Sequence, residues 1–392
     1  METSELVELL SPEGLRLLDS LPRYDSTDDV VRAVAELRKA GHSAGRVAAV
    51  LSQSRLRGRA VAKFGEFASR MLFTEAGLEQ ATRLPVAAQH AGRFQRAGAR
   101  WVADLGCGIV ADALAIAALD IEVTAVDVDE VTAAIAAYNL APWANAHVEH
   151  ADATAFDLSG VDAVYLDPAR RDGARRLSNP ADWTPPLDFA FDVARRFPTG
   201  IKLGPGIDRD LIPDDAEAQW ISVDRDVVEV GVWFGSLARP GIRRAALVLG
   251  EHGTAELTSG ADSADAEVGP LGQYVYEPDG SVIRARLIGD LARSLDARMV
   301  SDSIAYLTAD EAVPTPFASC FRVLETFPYD ERLLKRELGA RGVGTLEIKK
   351  RGVDVDPARL RKKLSLRGSA SATLILTRVA GRHAALLCER LP

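Results

Sequence analysis

Residues 102–119 read VADLGCGIVADALAIAAL: an apolar strand runs into Asp104, then a turn built on Gly106 and Gly108, then a helix. Glycines at those two places take positive φ readily and carry no Cβ. A ligand can therefore lie against the backbone, where the helix start offers free N–H groups. Downstream, residues 121–128 (IEVTAVDV) read as a buried parallel strand ending near Asp127. A helix over 129–139, a short strand near 147–149 and Asp152 follow. Residues 162–166 (DAVYL) end in Asp167-Pro168-Ala169-Arg170-Arg171. That places a carboxylate and a rigid turn at the carboxyl edge of a sheet, where open α/β sheets hold their reactants. A fifth strand at 200–203 carries Lys202 into Gly204-Pro205-Gly206, and 229–234 (EVGVWF) reads as a late strand of the same sheet. Strand and helix alternating in this way predict a doubly wound, Rossmann-like α/β sheet.

Two ligands fit the glycine turn by spacing. Gly106, Gly108 and Ala111 satisfy G-x-G-x-x-A and Asp127 stands about 20 residues on, the arrangement of a NAD-dependent dehydrogenase. The other ligand is S-adenosylmethionine. Asp104 would repel a pyrophosphate but suits an amino-acid ammonium and a sulfonium, so it favours the methyl donor. A plain strand-to-helix turn with a solvated aspartate is the remaining alternative.

Through DLGCG and DPARR the chain resembles the class I S-adenosylmethionine-dependent methyltransferases. The resemblance implies a cofactor site made by Asp104, Gly106, Cys107, Gly108, Asp127, Asp152 and Asp167, with Asp127 on the ribose and Asp152 facing the adenine. Asp152 reads equally well as a helix cap or turn residue. Catalytic roles fall to Asp167, which would orient or deprotonate the methyl acceptor, and to Arg170 and Lys202. Many family members acting on nucleic-acid amino groups carry an aromatic at the fourth position of D-P-P-x. Here Ala169 and Arg170 stand third and fourth, so a guanidinium suited to a phosphate or a base replaces the aromatic. Arg171 reads as well as a surface arginine paired with Asp172. Lys202 is expected either to meet substrate or to snorkel from the strand end. Val110-Ala111 replaces the Gly-Gly expected after DLGCGI, and side chains there are expected to crowd the methionine end.

The chain has 392 residues, 47% of them hydrophobic, enough for two or three cores. No run of 18 uncharged apolar residues occurs and METSELVELL lacks a basic leader, so no membrane association is expected. Cys107, Cys320 and Cys388 show no pairing pattern, which suits a cytoplasmic location, and none lies in a nucleophile context. Six histidines without ligand spacing imply no metal site.

Four domains are expected. Residues 1–98 form a helical domain in which caps such as Ser26 open successive helices, and Lys63-Phe64 with the 74–82 segment stand where they could close over the cofactor fold. Residues 99–240 form the methyltransferase core. Residues 241–328 form a β-rich connecting region with a mobile acidic loop at 261–267 and a Pro-Asp-Gly turn after Tyr276. Residues 329–392 differ in charge: 15 Lys plus Arg face 7 Asp plus Glu, a balance of +8, whereas the whole chain carries −9 and the rest therefore −17. The tail reads helix (330–340), strand (345–350), helix (357–364), strand (372–379), strand (383–389).

Through LEIKKRGVDVDP, LRKKLSLRG and ATLILTRV this small α+β module resembles the THUMP-like domain that follows a class I methyltransferase core. The resemblance implies RNA modification. Lys349, Lys350, Arg351, Arg361, Lys362 and Lys363 are the candidate RNA-binding residues, against the plain reading of a solvated helix face. The expected function is methylation of structured RNA, tRNA or rRNA. A small-molecule or protein methyltransferase, a non-catalytic RNA-binding protein and a NAD-dependent dehydrogenase remain as alternatives.

Overall fold

The computed structural model describes residues 3–22, 24, 26–172, 175–251 and 253–391. The chain divides into two compact units, Met1–Leu203 with Trp233–Ala238, and Gly204–Val232 with Arg239–Pro392.

The first unit opens with α1 (Thr3–Leu10), α2 (Pro12–Ser20), α3 (Thr27–Lys39), α4 (Ala44–Phe64), α5 (Glu75–Gln80) and α6 (Leu84–Arg96). Ser11, Ser26, Ser43 and Thr74 cap α2 to α5, each side-chain oxygen accepting the N–H three residues on. That bond satisfies one of the donors a helix start leaves open. Next come β1 (Trp101–Leu105), α7 (Ala111–Ala117), β2 (Glu122–Asp127), α8 (Glu130–Leu140), β3 (Ala146–His150), β4 (Ala163–Leu166), the short hairpin β5 (Arg171–Asp172) and β6 (Arg175–Arg176), α9 (Leu187–Ala194) and β7 (Thr199–Leu203). Five strands lie in the order β7-β4-β1-β2-β3 and every pairing among them is parallel. The order reverses between β1 and β4, which opens a crevice at their carboxyl ends. β4 is buried along its whole length, as befits a parallel strand covered on both faces.

Beneath that crevice His90, Phe94, Tyr165 and Trp233 stack, with ring centroids 5.5–6.2 Å apart. A Cβ on Gly200 would stand 2.5 Å from the Trp233 ring, so only glycine lets this indole lie on β7.

In the second unit β8 (Glu217–Val223), β9 (Asp226–Phe234, whose last two residues belong to the first unit), β10 (Arg244–Gly250) and β11 (Gly253–Ser259) lie in the order β11-β10-β8-β9. β8 has no counterpart among the sequence expectations; its EAQWISV is buried on both faces and shows no alternation to read. β12 (Tyr274–Pro278), α10 (Gly280–Arg284), α11 (Ile288–Ser294), β13 (Arg298–Met299), β14 (Leu307–Ala309), β15 (Ala318–Pro328), α12 (Glu331–Ala340), β16 (Val343–Lys350), α13 (Pro357–Leu364), β17 (Ala370–Val379) and β18 (Arg382–Arg390) complete the chain. Their strands form one sheet in the order β13-β14-β12-β15-β18-β17-β16.

The tail elements fall within two residues of the expected bounds. Their sheet does not begin at 329, however: β15 pairs with β18 along Phe321 to Pro328, so the strand before the charge change belongs to the tail's sheet. Two expectations for the connecting region are corrected. Asp262 in the acidic loop pairs with Arg244 at 2.7 Å and Arg209 at 3.1 Å, and Ser263 bonds the Arg286 carbonyl, so that loop is tied down. The Pro-Asp-Gly segment does not reverse the chain. Asp279 accepts from Ser281 N at 2.9 Å and starts α10, since an aspartate before a small residue caps a helix as readily as it makes a turn. No helix among the described residues is long and apolar enough to cross a membrane.

Candidate active site

β1, β2 and β4 end side by side, and the loops leaving them surround a cavity of about 510 Å3. The glycine turn forms its floor. Gly106 N and Cys107 N both donate to Val126 O, at 2.9 and 3.0 Å, which ties the turn to β2. Gly106 has φ +85°, and a Cβ there would stand 3.2 Å from the Asp167 carbonyl. This glycine thus lets the first loop close on the Asp167-Pro168 loop. Gly108 has φ +55° and a Cβ on it would meet nothing within 4 Å; it faces the open space where a ligand would lie.

Val110 departs from the expectation of crowding. It holds φ 72°, a left-handed conformation costly for a β-branched residue. It does so with no exposed surface, its side chain packed in the core. Of the Val110-Ala111 pair only Ala111 lines the cavity, so the intrusion is one methyl group.

Carboxylates dominate the walls. Asp112, Asp127, Asp129, Asp152 and Asp167 line the cavity, and none of the described lining residues is Lys or Arg. Asp127 accepts from Gly108 N at 3.0 Å and Asp129 N at 2.9 Å; burial raises its pKa although those bonds pull it down. Asp152 lines the cavity while accepting both Thr154 N and Thr154 Oγ1 at 2.8 Å, so it is a turn residue and a wall residue at once. Asp104 is 1% exposed and lies behind the lining. Burial, then the nearby Asp112 and Asp167 carboxylates, push its pKa well up. Cys107 is buried in the turn and its thiol is likewise pushed up, first by burial.

A chain of polar contacts runs behind Asp167. Lys202 Nζ donates to Asp167 Oδ2 at 2.5 Å, to Thr82 Oγ1 at 3.1 Å and to Gln80 O at 3.2 Å. Thr82 Oγ1 donates to Asp112 Oδ2 at 2.7 Å, Asp112 Oδ1 meets His90 Nδ1 at 2.8 Å, and the Tyr165 hydroxyl lies 3.0 Å from that nitrogen. Burial raises the Asp112 pKa, but the bond and charge of His90, with Lys202 and Thr82, outweigh it and hold the carboxyl below its ordinary value. Lys202 therefore does not snorkel; its side chain is 11% exposed and anchored to Asp167.

His90 and Asp112 are absent from the sequence reading, and Thr82 enters it only as the end of the 74–82 segment. Thr82 stands in the loop before α6, His90 on α6 and Asp112 on α7, and only the fold brings the three together. The 74–82 segment does line the cavity. Arg170 is half-buried and is not among the lining residues, whereas Ala169 is, through an antiparallel pairing with Thr184. The Arg171 and Asp172 side chains lie outside the described residues, so their expected pair does too.

The tail cations divide into two sets. Lys349 pairs with Glu277 at 2.6 Å, Lys363 with Glu331 at 2.9 Å, and Arg361 Nε donates to Leu346 O at 3.2 Å. Arg351 stacks over Tyr306 at 5.6 Å. Lys350 and Lys362, with Arg359 and Arg367, are exposed and make no ion pair among the described residues. No group of three metal-ligating side chains stands together among the described residues.

The chemistry of the cavity separates the two candidate ligands. A pyrophosphate would face five carboxylates with Lys202 already committed to Asp167, whereas a sulfonium and an ammonium are attracted to them. The residues present thus fit S-adenosylmethionine, with open space at Gly108 to receive it.

A THUMP domain-like family model matches residues 318–390, and a domain of unknown function matches residues 2–60. The chain is 35% identical over 333 residues to proteins of two Mycobacterium tuberculosis strains, each named an uncharacterized S-adenosylmethionine-dependent methyltransferase, spanning 83% of this chain and 90% of theirs. A crystal structure from Porphyromonas gingivalis, described as that of a methyltransferase, shares the fold with a TM-score of 0.73 at 20% identity, over 100% of this chain and 99% of the other. Fold, glycine turn and relatives converge: the chain belongs to the S-adenosylmethionine-dependent methyltransferases.

Proposed function

We propose that this methyltransferase acts on structured RNA, tRNA or rRNA. The observation that carries the reading is a separation of charge. The cavity is lined by carboxylates, while the THUMP-like module holds Lys350, Arg359, Lys362 and Arg367 exposed and unpaired among the described residues. A polyanionic acceptor would be held through its phosphates by such cations and present only an uncharged group to the acidic site.

The cofactor supplies a methyl group on an electrophilic sulfonium. Asp127 and the glycine turn would hold it, leaving Asp167, on the loop that packs against Gly106, for the acceptor. Asp167, held by Lys202, accepts a hydrogen bond from an acceptor N–H or O–H and so turns its lone pair toward the methyl group. On transfer the acceptor's proton would pass to the Asp167 carboxylate, whose place Lys202 fixes, and from there to water. Arg170, at the start of the β5–β6 hairpin, is suited to a phosphate of the same acceptor.

Methyl-labelled S-adenosylmethionine incubated with total RNA tests this. Label should enter RNA with the wild type and fall by about 10²-fold or more with Asp167→Ala. Label entering only protein or small molecules overturns the RNA assignment.

A further inference from the structure

The wall formed by residues 74–82 is built on α5, six residues long and too short to be stable alone. Two lysines hold it. Lys63 Nζ, from the last turn of α4, donates to Leu78 O at 2.9 Å, Glu79 O at 2.8 Å and Ala81 O at 2.7 Å. From β7, Lys202 Nζ takes Gln80 O and Thr82 Oγ1. Two ammonium groups thus gather four carbonyls and a hydroxyl from five consecutive residues. A positive charge at a helix C-terminus is favourable, and an ammonium has the three donors such convergence needs. The inner side of the same wall presses on the glycine turn: a Cβ at Gly77 would stand 2.6 Å from Ile109 Cγ2. Thr74, Gly77, Gln80 and Thr82 face the cavity.

We propose that Lys63 is a positioning residue for the cofactor, fixing the 78–82 wall in the shape that S-adenosylmethionine requires. Lys202, shared between that wall and Asp167, ties cofactor seating to the acceptor carboxylate. The inference rests on the cavity being the cofactor site and is independent of what the acceptor is.

Calorimetry with S-adenosylhomocysteine reads it directly on the full chain. Lys63→Met should weaken binding about tenfold and speed amide exchange of residues 76–82, while Lys39→Met, on the exposed face of α3, should change neither. A role confined to stability would lower the unfolding temperature and leave affinity and local exchange as in the wild type. The wild type offers a second measurement that needs no variant: acetylation of Lys63 by acetic anhydride should slow about threefold or more under saturating S-adenosylhomocysteine, with Lys39 unaffected. Lys63→Met binding within twofold of wild type, or Lys63 acetylation indifferent to the ligand, overturns the proposal. Failure of the wild type itself to bind would instead overturn the cavity assignment on which it rests.

Discussion

Replacing Asp112 by alanine removes the acceptor of two buried hydrogen bonds, from Thr82 at 2.7 Å and with His90 at 2.8 Å. The Asp112 and His90 side chains are 8% and 1% exposed, so both bonds are largely shielded from solvent although Asp112 borders the cavity. Each buried partner left without its hydrogen bond costs about 1–3 kcal/mol, so about 2–6 kcal/mol for the two. With a urea slope of about 3 kcal/mol/M, the midpoint of the first unit should fall by about 0.7–2 M. Tryptophan fluorescence is a suitable probe, since Trp233 lies 5.5 Å from the His90 ring. His90→Phe combined with Asp112→Ala should cost less than the two changes summed, as a phenyl ring keeps the packing against Tyr165 and Trp233 and leaves no ring nitrogen facing the lost carboxylate. The pH dependence has a definite sign. The folded carboxyl lies below its ordinary value, so its contribution is full above the ordinary range and is lost as pH falls through the lowered value. The gap between wild type and Asp112→Ala should therefore persist from about pH 7 to 5 and close below about pH 4. A loss under about 1 kcal/mol at pH 7, or strict additivity in the double variant, would refute the argument.

Asp104 should behave oppositely. Its raised pKa costs stability as pH climbs from about 4 through the folded value, so Asp104→Asn should gain on the wild type over that rise in urea titrations, and a constant difference would contradict the assignment. Gly108→Leu puts a side chain at φ +55° into the open cavity and should weaken S-adenosylhomocysteine binding at least about tenfold by calorimetry; unchanged affinity would place the ligand elsewhere. Gly200→Ala overpacks Trp233 and should destabilise the first unit by about 1–3 kcal/mol in the same urea assay, with no change meaning that the indole shifts freely. Changing Arg359, Lys362 and Arg367 together to Gln should flatten the log–log salt dependence of RNA binding by about 2–3 units in a filter assay; an unaltered slope would remove these cations from the interface.

Much of the fold is legible because its signals are local. Buried runs at 121–128 and 162–166, the serine caps of the first helices and the alternating tail all declare their elements within a few residues. β8 is not legible: a strand covered on both faces has no period of two, and its buried Glu217 is paired with Arg239 at 2.6 Å. The acidic loop at 261–267 reads as mobile in composition, yet Arg209 and Arg244, distant in sequence, hold it.

The candidate site divides along the same line. The two glycines, Asp127 and Asp167 are set by strand ends and turns, and a doubly wound sheet must bring those ends together; the sequence alone therefore determines a cleft there and its acidic character, while Asp104 lies behind its lining. Charge counting in the tail finds a basic segment but cannot tell a free cation from one already neutralised, and the pairing of Lys349 with Glu277 and of Lys363 with Glu331 is a matter of tertiary contact. The polar chain from Asp167 through Lys202, Thr82 and Asp112 to His90 also belongs to the tertiary structure alone. Its members come from five separate elements and loops, and no local pattern records which buried polar group will find which partner. Hydrogen bonds of this kind act over about 3 Å, so only packing in three dimensions can select them.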